Sequence, residues 1–143
     1  MSAELSDAGR PDAALLALRP VLPAVLPPSG NATPADFLHH TLRPVLKLQN
    51  DVLLAVVADF VRDHHIALAG ASATEQHRLL AELLTRNTKL RYTVVGLICG
   101  LYTAAELAYY REHRSELNRR LLELATRRVQ DQAATVVALT LAL

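Results

Sequence analysis

This 143-residue chain has no tryptophan and one cysteine, and it has no proline after residue 44. All seven prolines lie before that point, so the rest of the chain can form helices without the lost donor and steric clash that proline introduces. The single cysteine, Cys99, excludes an internal disulfide. Two Phe and four Tyr leave the core to aliphatic side chains. Abundant leucine with scattered β-branched residues then favours an all-α fold.

Net charge is also nearly absent. The formal charge of +1 gives no whole-chain indication of a nucleic-acid or anionic-membrane partner. The longest apolar runs, residues 93–102 and 133–143, are shorter than the ~20 residues that a spanning helix needs. The first ten residues lack the basic region of a signal peptide. We therefore expect a soluble, cytoplasmic protein with no membrane insertion.

Motifs of enzyme chemistry are missing as well. The sequence has no GxxxxGK[ST] loop, no GxGxxG turn and no GxSxG elbow. Cys99 lies in an apolar segment, a setting that raises the pKa of a thiol and does not activate it. The sequence therefore predicts a non-enzymatic protein, with no catalytic residue and no cofactor.

Histidines give the only hint of a metal site. Asp36 precedes His39 by three residues and His40 by four, so either pair can share one helix face. A di-metal carboxylate bundle needs two ExxH motifs and further inward carboxylates, and the chain has no ExxH, CxxC or HExxH. We predict no metal site, and keep a helical bundle that binds a small ligand or metal as a minor alternative.

Proline placement divides the chain into a Pro-rich, partly extended N-terminal arm (residues 1–33) and a helical bundle domain (34–143). Within the arm, residues 12–18 are predicted to form one or two helical turns. Thr33, Pro34 and Asp36 have the pattern of a helix start, and Pro44 predicts a break or kink near residues 42–43.

The domain is predicted to contain four to five helices. An apolar stripe from Val45 to Val61 marks a long helix that Gly70 is expected to end, and capping-box patterns at residues 72–75 and 103–106 open two others. The apolar segment 93–102 predicts a central, enclosed helix. We expect its glycine pair, Gly96 and Gly100, to serve close packing inside the chain, with a dimer seam as the less favoured reading.

Two amides, Gln49 and Asn50, fall near the apolar stripe of the long helix. Buried there, they must find hydrogen-bond partners and would fix the register of the helix. The alternative is that both lie at the edge of the stripe.

Residues 103–129 resemble the opening of the helix-turn-helix of sigma-factor-type regulators, with a hydroxyl cap at Thr103 followed by Glu106. The later positions depart from that motif. Residues 111–113 are Arg-Glu-His where it has apolar–glycine–apolar, and Asn118 stands where it has an inward apolar residue.

The resemblance implies a nucleic-acid-binding regulator as an alternative function. Its candidate phosphate contacts are Arg111, Arg114, Arg119, Arg120, Arg127 and Arg128. The simpler interpretation of the same residues is that they form a solvated helix face of Arg and Glu, and we favour it.

The last eleven residues are apolar on more than one face, which is typical of an association site. The candidate association surface consists of Val136, Val137, Leu139, Leu141 and Leu143. The sequence thus favours a small helical protein that acts through protein–protein association, as a homodimer, over one that binds nucleic acid.

Overall fold

The computed structural model describes residues 9–21 and 33–142, and over those ranges all regular structure is helical. The predicted all-α class is confirmed. The chain divides into two compact units: unit 1 comprises Met1–Gln49 and Gly96–Leu121, and unit 2 comprises Asn50–Val95 and Leu122–Leu143. The predicted boundary between an arm and a domain at residue 33 stays a prediction, because residues 22–32 lie outside the described residues.

Eight helices account for the described residues when α2 is taken as one continuous helix. They are α1 (Asp12–Leu18), α2 (34–48, made of Pro34–Phe37, Leu38–Leu42 and Arg43–Leu48), α3 (Asn50–Asp63), α4 (Ala73–Arg86), α5 (Thr88–Cys99), α6 (Ala104–Glu112), α7 (Arg114–Asp131) and α8 (Ala133–Leu141). The predicted turns at residues 12–18 are confirmed by α1.

The prediction of four to five helices is wrong, because several helices meet at a single residue. Gln49, Asn87, His113 and Gln132 each separate two helices, and none is proline or glycine. Asn87 carries a local signal, since its side-chain oxygen accepts from the Leu90 amide at 2.8 Å and caps α5. The other three junctions form without a breaker residue that the sequence would reveal.

Pro44 does not break α2. The five residues before Arg43, Leu38–Leu42, form a π-helical turn in which the Arg43 amide donates to the Leu38 carbonyl. Proline has no amide hydrogen to donate to the carbonyl four residues earlier, and its ring clashes with that carbonyl. A π turn at this point changes the hydrogen-bond spacing of the helix and so accommodates the proline. The predicted break is therefore wrong, since a π turn lies within a continuous helix just before Pro44, and Pro44 itself is buried.

Helix α3 ends at Asp63, seven residues before the glycine that was expected to end it. His65 has a left-handed backbone (φ 52°), and the Ile66 amide donates to the Val61 carbonyl at 3.0 Å. This six-to-one bond with a left-handed residue inside it is a Schellman ending, which usually employs glycine. Histidine here provides what Gly70 was predicted to provide.

Four aromatic rings form a cluster in unit 1, beside the aliphatic side chains of its core. Phe37 packs edge-on against Tyr102 and stacked on Tyr109, both with ring centroids 5.3 Å apart. Tyr109 in turn stacks on His113 at 4.2 Å, and Tyr110 packs against Tyr102 at 5.7 Å. A chain with few aromatics thus concentrates them here, where each buries a large apolar area.

Unit 2 is built from aliphatic side chains, with α3 packed on α8. Asn50 and Gln132 join the starts of these two helices by a reciprocal amide pair, with N–O distances of 2.9 and 2.8 Å. In unit 1, Gln49 donates to the Leu97 carbonyl at 3.0 Å. Both amides singled out in the sequence are half-buried and partnered.

Helix α5 is not enclosed. Leu90, Val94 and Ile98 are buried, but Gly96 and Gly100 are exposed. Among the described residues, a Cβ added at Gly96 would meet no atom outside its own helix within 4 Å. Within the described residues, Gly96 therefore does not serve the close packing inside the chain that was predicted for the pair. No helix in the described ranges has the length and apolar content to cross a bilayer.

Candidate functional site

The most elaborate polar arrangement in the described residues lies in unit 1, where α1 meets the start of α6. Arg19 donates from both terminal nitrogens to Glu106: Nη1 to Oε2 at 2.7 Å and Nη2 to Oε1 at 2.6 Å. The two side chains retain only 7% and 12% of their exposure. A bidentate pair that is this well buried is both directional and costly to break.

Glu106 accepts two further hydrogen bonds. The Thr41 hydroxyl donates to Oε2 at 2.7 Å, and the Thr103 amide donates to Oε1 at 2.8 Å. Thr103 Oγ1 accepts from the Glu106 amide at 3.3 Å, which completes the capping box predicted at residues 103–106. Burial alone would raise the pKa of Glu106, but the hydrogen bonds from Arg19, Thr103 and Thr41 outweigh it, and the pKa lies below its ordinary value.

The other end of α1 is fixed by main-chain contacts. Arg10 donates to the Tyr102 carbonyl at 2.9 and 2.8 Å and to the Gly100 carbonyl at 2.7 Å. Asp12 accepts from the Ala104 amide at 3.0 Å, at the start of α6. These carbonyls follow the end of α5 and the amide opens α6, so the side chains satisfy groups that helix ends leave unpaired.

We name the receiving surface the α1 dock. It consists of the carbonyls of Gly100, Leu101 and Tyr102, the amide of Ala104 and the carboxylate of Glu106. Arg19 Nη2 also reaches the Leu101 carbonyl, at 3.0 Å. The capping box is visible in the sequence, but its partner Arg19 is 87 residues away and has no local signal.

The six candidate phosphate-contacting arginines do not form one unpaired face. Arg119 and Arg120 both approach Glu116, at 3.9 and 3.2 Å. Arg114 lies over the Tyr110 ring, with the guanidinium carbon 5.9 Å from the ring centroid.

Of the remaining arginines, Arg128 donates to Asn50 Oδ1 at 3.2 Å, while Arg111 and Arg127 are exposed. Helices α6 and α7 are separated by His113 alone. A helix-turn-helix uses a turn of three to four residues, which this junction does not contain. The geometry therefore gives the helix-turn-helix resemblance no support.

The candidate association surface separates into buried and exposed residues. Val136 is fully buried inside unit 2, so its assignment to that surface is corrected. It falls on the side of α8 that packs against neighbouring helices, because the helical period places it there with Ala133. Val137 and Leu139 are half-buried and Leu141 is 70% exposed, while Leu143 lies outside the described residues.

Cys99 is half-buried, and burial raises the pKa of its thiol, with Tyr110 and Tyr102 opposing that shift through their hydroxyls. The prediction that this setting raises the pKa of the thiol is confirmed. Burial also raises the pKa of Tyr110, to about 12, although its hydroxyl donates to Asn118 at 2.6 Å.

His39 is exposed and His40 half-exposed, and the described residues hold no group of three or more His, Cys, Asp or Glu that could bind a metal. A groove of about 320 Å³ in unit 2 is lined by both apolar and charged residues. Its lining is Ile66, Leu79, Glu82, Leu83, Arg86 and Asn87. Neither feature brings together ligand-binding groups as the α1 dock does.

Comparisons of this chain with protein-family models, with curated proteins and with solved structures find no match.

Proposed function

We propose that this protein is a non-enzymatic helical module that associates with a second copy of itself through the outward face of α8. The observation that carries the proposal is that α8 has no charged residue in its sequence AATVVALTL. Ala134, Ala138 and Leu141 are exposed, and their spacing of four and three residues puts them on one face. This face is opposite to the one that Val136 buries in unit 2.

A second copy is the partner that such a face fits. In a two-fold dimer the same patch meets itself, and a charge-free patch does so without burying an unpaired charge. The alanines leave room for two helices to approach closely, and Leu141 supplies a large exposed side chain. A strongly charged partner would find no countercharge on this helix.

The size of the face limits the strength of the association. Nine helical residues span about 13 Å at 1.5 Å per residue. That is too little for the roughly 800 Å² per partner of a standard interface. We therefore expect a reversible dimer with a micromolar or weaker Kd rather than an obligate one.

Sedimentation velocity of the full chain over a range of concentrations tests the proposal. The wild-type weight-average mass should rise with concentration, and Ala138→Glu should hold it at the monomer value, because the charge would be buried in the interface. Ala108→Glu makes the same change at an exposed position of α6 and should behave like wild type. A wild-type chain that stays monomeric throughout, or an Ala138→Glu chain that dimerises normally, would contradict the proposal.

A further inference from the structure

Helix α1 is held to unit 1 by polar groups and by little apolar contact. Leu15 is its one buried residue. Leu16 and Leu18 are 52% and 58% exposed, and Val21, just beyond the helix, is 90% exposed. The free energy of docking therefore depends on Arg10, Asp12 and Arg19 and on the groups that they reach.

The groups of the α1 dock match a defined pattern of hydrogen-bond donors and acceptors on residues 10–19. The carbonyl and carboxylate oxygens of the α1 dock accept hydrogen bonds from Arg10 and Arg19, which are nine residues apart. The Ala104 amide of the dock donates to Asp12. Acceptors for the arginines and a donor for the carboxylate make the dock complementary to residues 10–19. The dock lies wholly within residues 100–106, so it has the properties of a receptor for a short segment.

The number of residues between α1 and the following helix limits how far α1 can reach. Eleven residues, 22–32, separate the described ranges, and three of them are proline. At 3.3–3.6 Å per residue such a connection spans at most about 40 Å. An element on a short connection can dock on a second copy and keep all its native contacts, so an exchanged dimer costs little in free energy.

We propose that α1 is an exchangeable element, which docks on its own chain or on the α1 dock of a second copy through the same hydrogen bonds. This exchange does not rest on the α8 face. Docking within one chain benefits from an effective concentration in the millimolar range for a short connection. The intramolecular form therefore dominates in dilute wild-type protein, and the exchanged form gains when one chain has a weakened α1 and a second chain has a weakened dock, because the intact α1 and the intact dock then lie on different copies.

Two complementary full-length variants test the exchange. Arg19→Ala weakens α1 and leaves the dock intact, whereas Glu106→Gln weakens the dock, leaves α1 intact and retains an oxygen for the Thr103 amide. Both also carry Ala138→Glu, so that the α8 face cannot contribute. Mixed at high concentration, with one isotopically labelled, they should give a heterodimer by native mass spectrometry that exceeds either homodimer.

A labelled peptide of residues 9–21 supplies a second readout. It should bind saturably to the Arg19→Ala chain and at least tenfold more weakly to a chain that carries both Arg19→Ala and Ala104→Pro. Proline at the first position of a helix is tolerated but removes the amide that Asp12 accepts from. Ala104→Pro alone, which leaves α1 intact, replaces Glu106→Gln in the mixing experiment if circular dichroism shows that Glu106→Gln does not fold. Absence of heterodimer and of saturable peptide binding would overturn the proposal, whatever the behaviour of the α8 variants.

Discussion

Arg19 donates a hydrogen bond to Glu106 from each of its terminal nitrogens, at 2.7 and 2.6 Å, although 87 residues separate the two in the chain. The pair joins α1 to the residue that completes the capping box of α6. Local capping and a long-range contact therefore depend on one carboxylate. Loss of either partner would leave the other charge buried, which costs more than the loss of an exposed pair.

We predict that Arg19→Ala lowers the free energy of unfolding by about 3 kcal/mol, the lower end of the range for a broken buried pair. The loss of unfolding free energy stays at this lower end because undocking of α1 would let water reach the Glu106 carboxylate. Urea unfolding measures it. Arg78→Ala is the matched control, because Arg78 pairs with Glu75 and Glu82 on the exposed surface of α4 and exposed pairs contribute little. Equal effects of the two substitutions would argue against a structural role for the buried pair.

Acid should weaken the protein through the same carboxylate. The pKa of Glu106 in the folded chain lies below its ordinary value of 4.5, so the ionised form stabilises the fold above that pH. This contribution is lost as the pH falls below about 4.5 and through the folded-state pKa. The difference in unfolding free energy between wild type and Glu106→Gln should therefore be largest near neutral pH and shrink in acid. A difference that grows in acid would contradict the assigned sign.

The amide pair at the starts of α3 and α8 should show energetic coupling. Asn50→Ala and Gln132→Ala each remove both reciprocal hydrogen bonds, so a double-mutant cycle should give a coupling of about 1 kcal/mol. Gln76 donates to the Leu68 carbonyl and shares no bond with Asn50. The cycle of Asn50→Ala with Gln76→Ala should therefore be additive, and additivity in the Asn50–Gln132 cycle as well would refute the coupling.

Cys99 should react slowly with thiol reagents. Burial raises its pKa and so lowers the fraction of thiolate at neutral pH. The rate of iodoacetamide alkylation in the native chain should be well below that of the urea-unfolded chain at the same pH, and the chain has no other thiol to confuse the signal. Equal rates would show that the thiol is neither protected nor shifted.

Local signals allowed much of the helical structure to be predicted. The caps at Thr33 and Ser72 and the box at residues 103–106 all arise from side chains that bond within three residues. The boundaries that were wrong have other causes. His65 adopts a left-handed conformation that glycine usually provides, and a π turn compensates for the missing donor of Pro44.

Long-range features could not be predicted in the same way. Nothing near Arg19 indicates that it meets Glu106, and the exposure of Gly96 depends on which elements pack beside α5. The burial of Val136 also depends on which face of α8 turns inward. A nine-residue helix without a charged face shows no contrast between a polar and an apolar side, so its sequence does not indicate which side is buried.

Self-association is tested most directly by measuring the mass of the unmodified full-length chain in solution as a function of its concentration. Self-association through the charge-free face of α8 predicts a reversible monomer–dimer equilibrium in sedimentation equilibrium. Because that contact is apolar, added salt should not weaken it. A monomer at every concentration, or a dimer that dissociates in moderate salt, would contradict the proposed function.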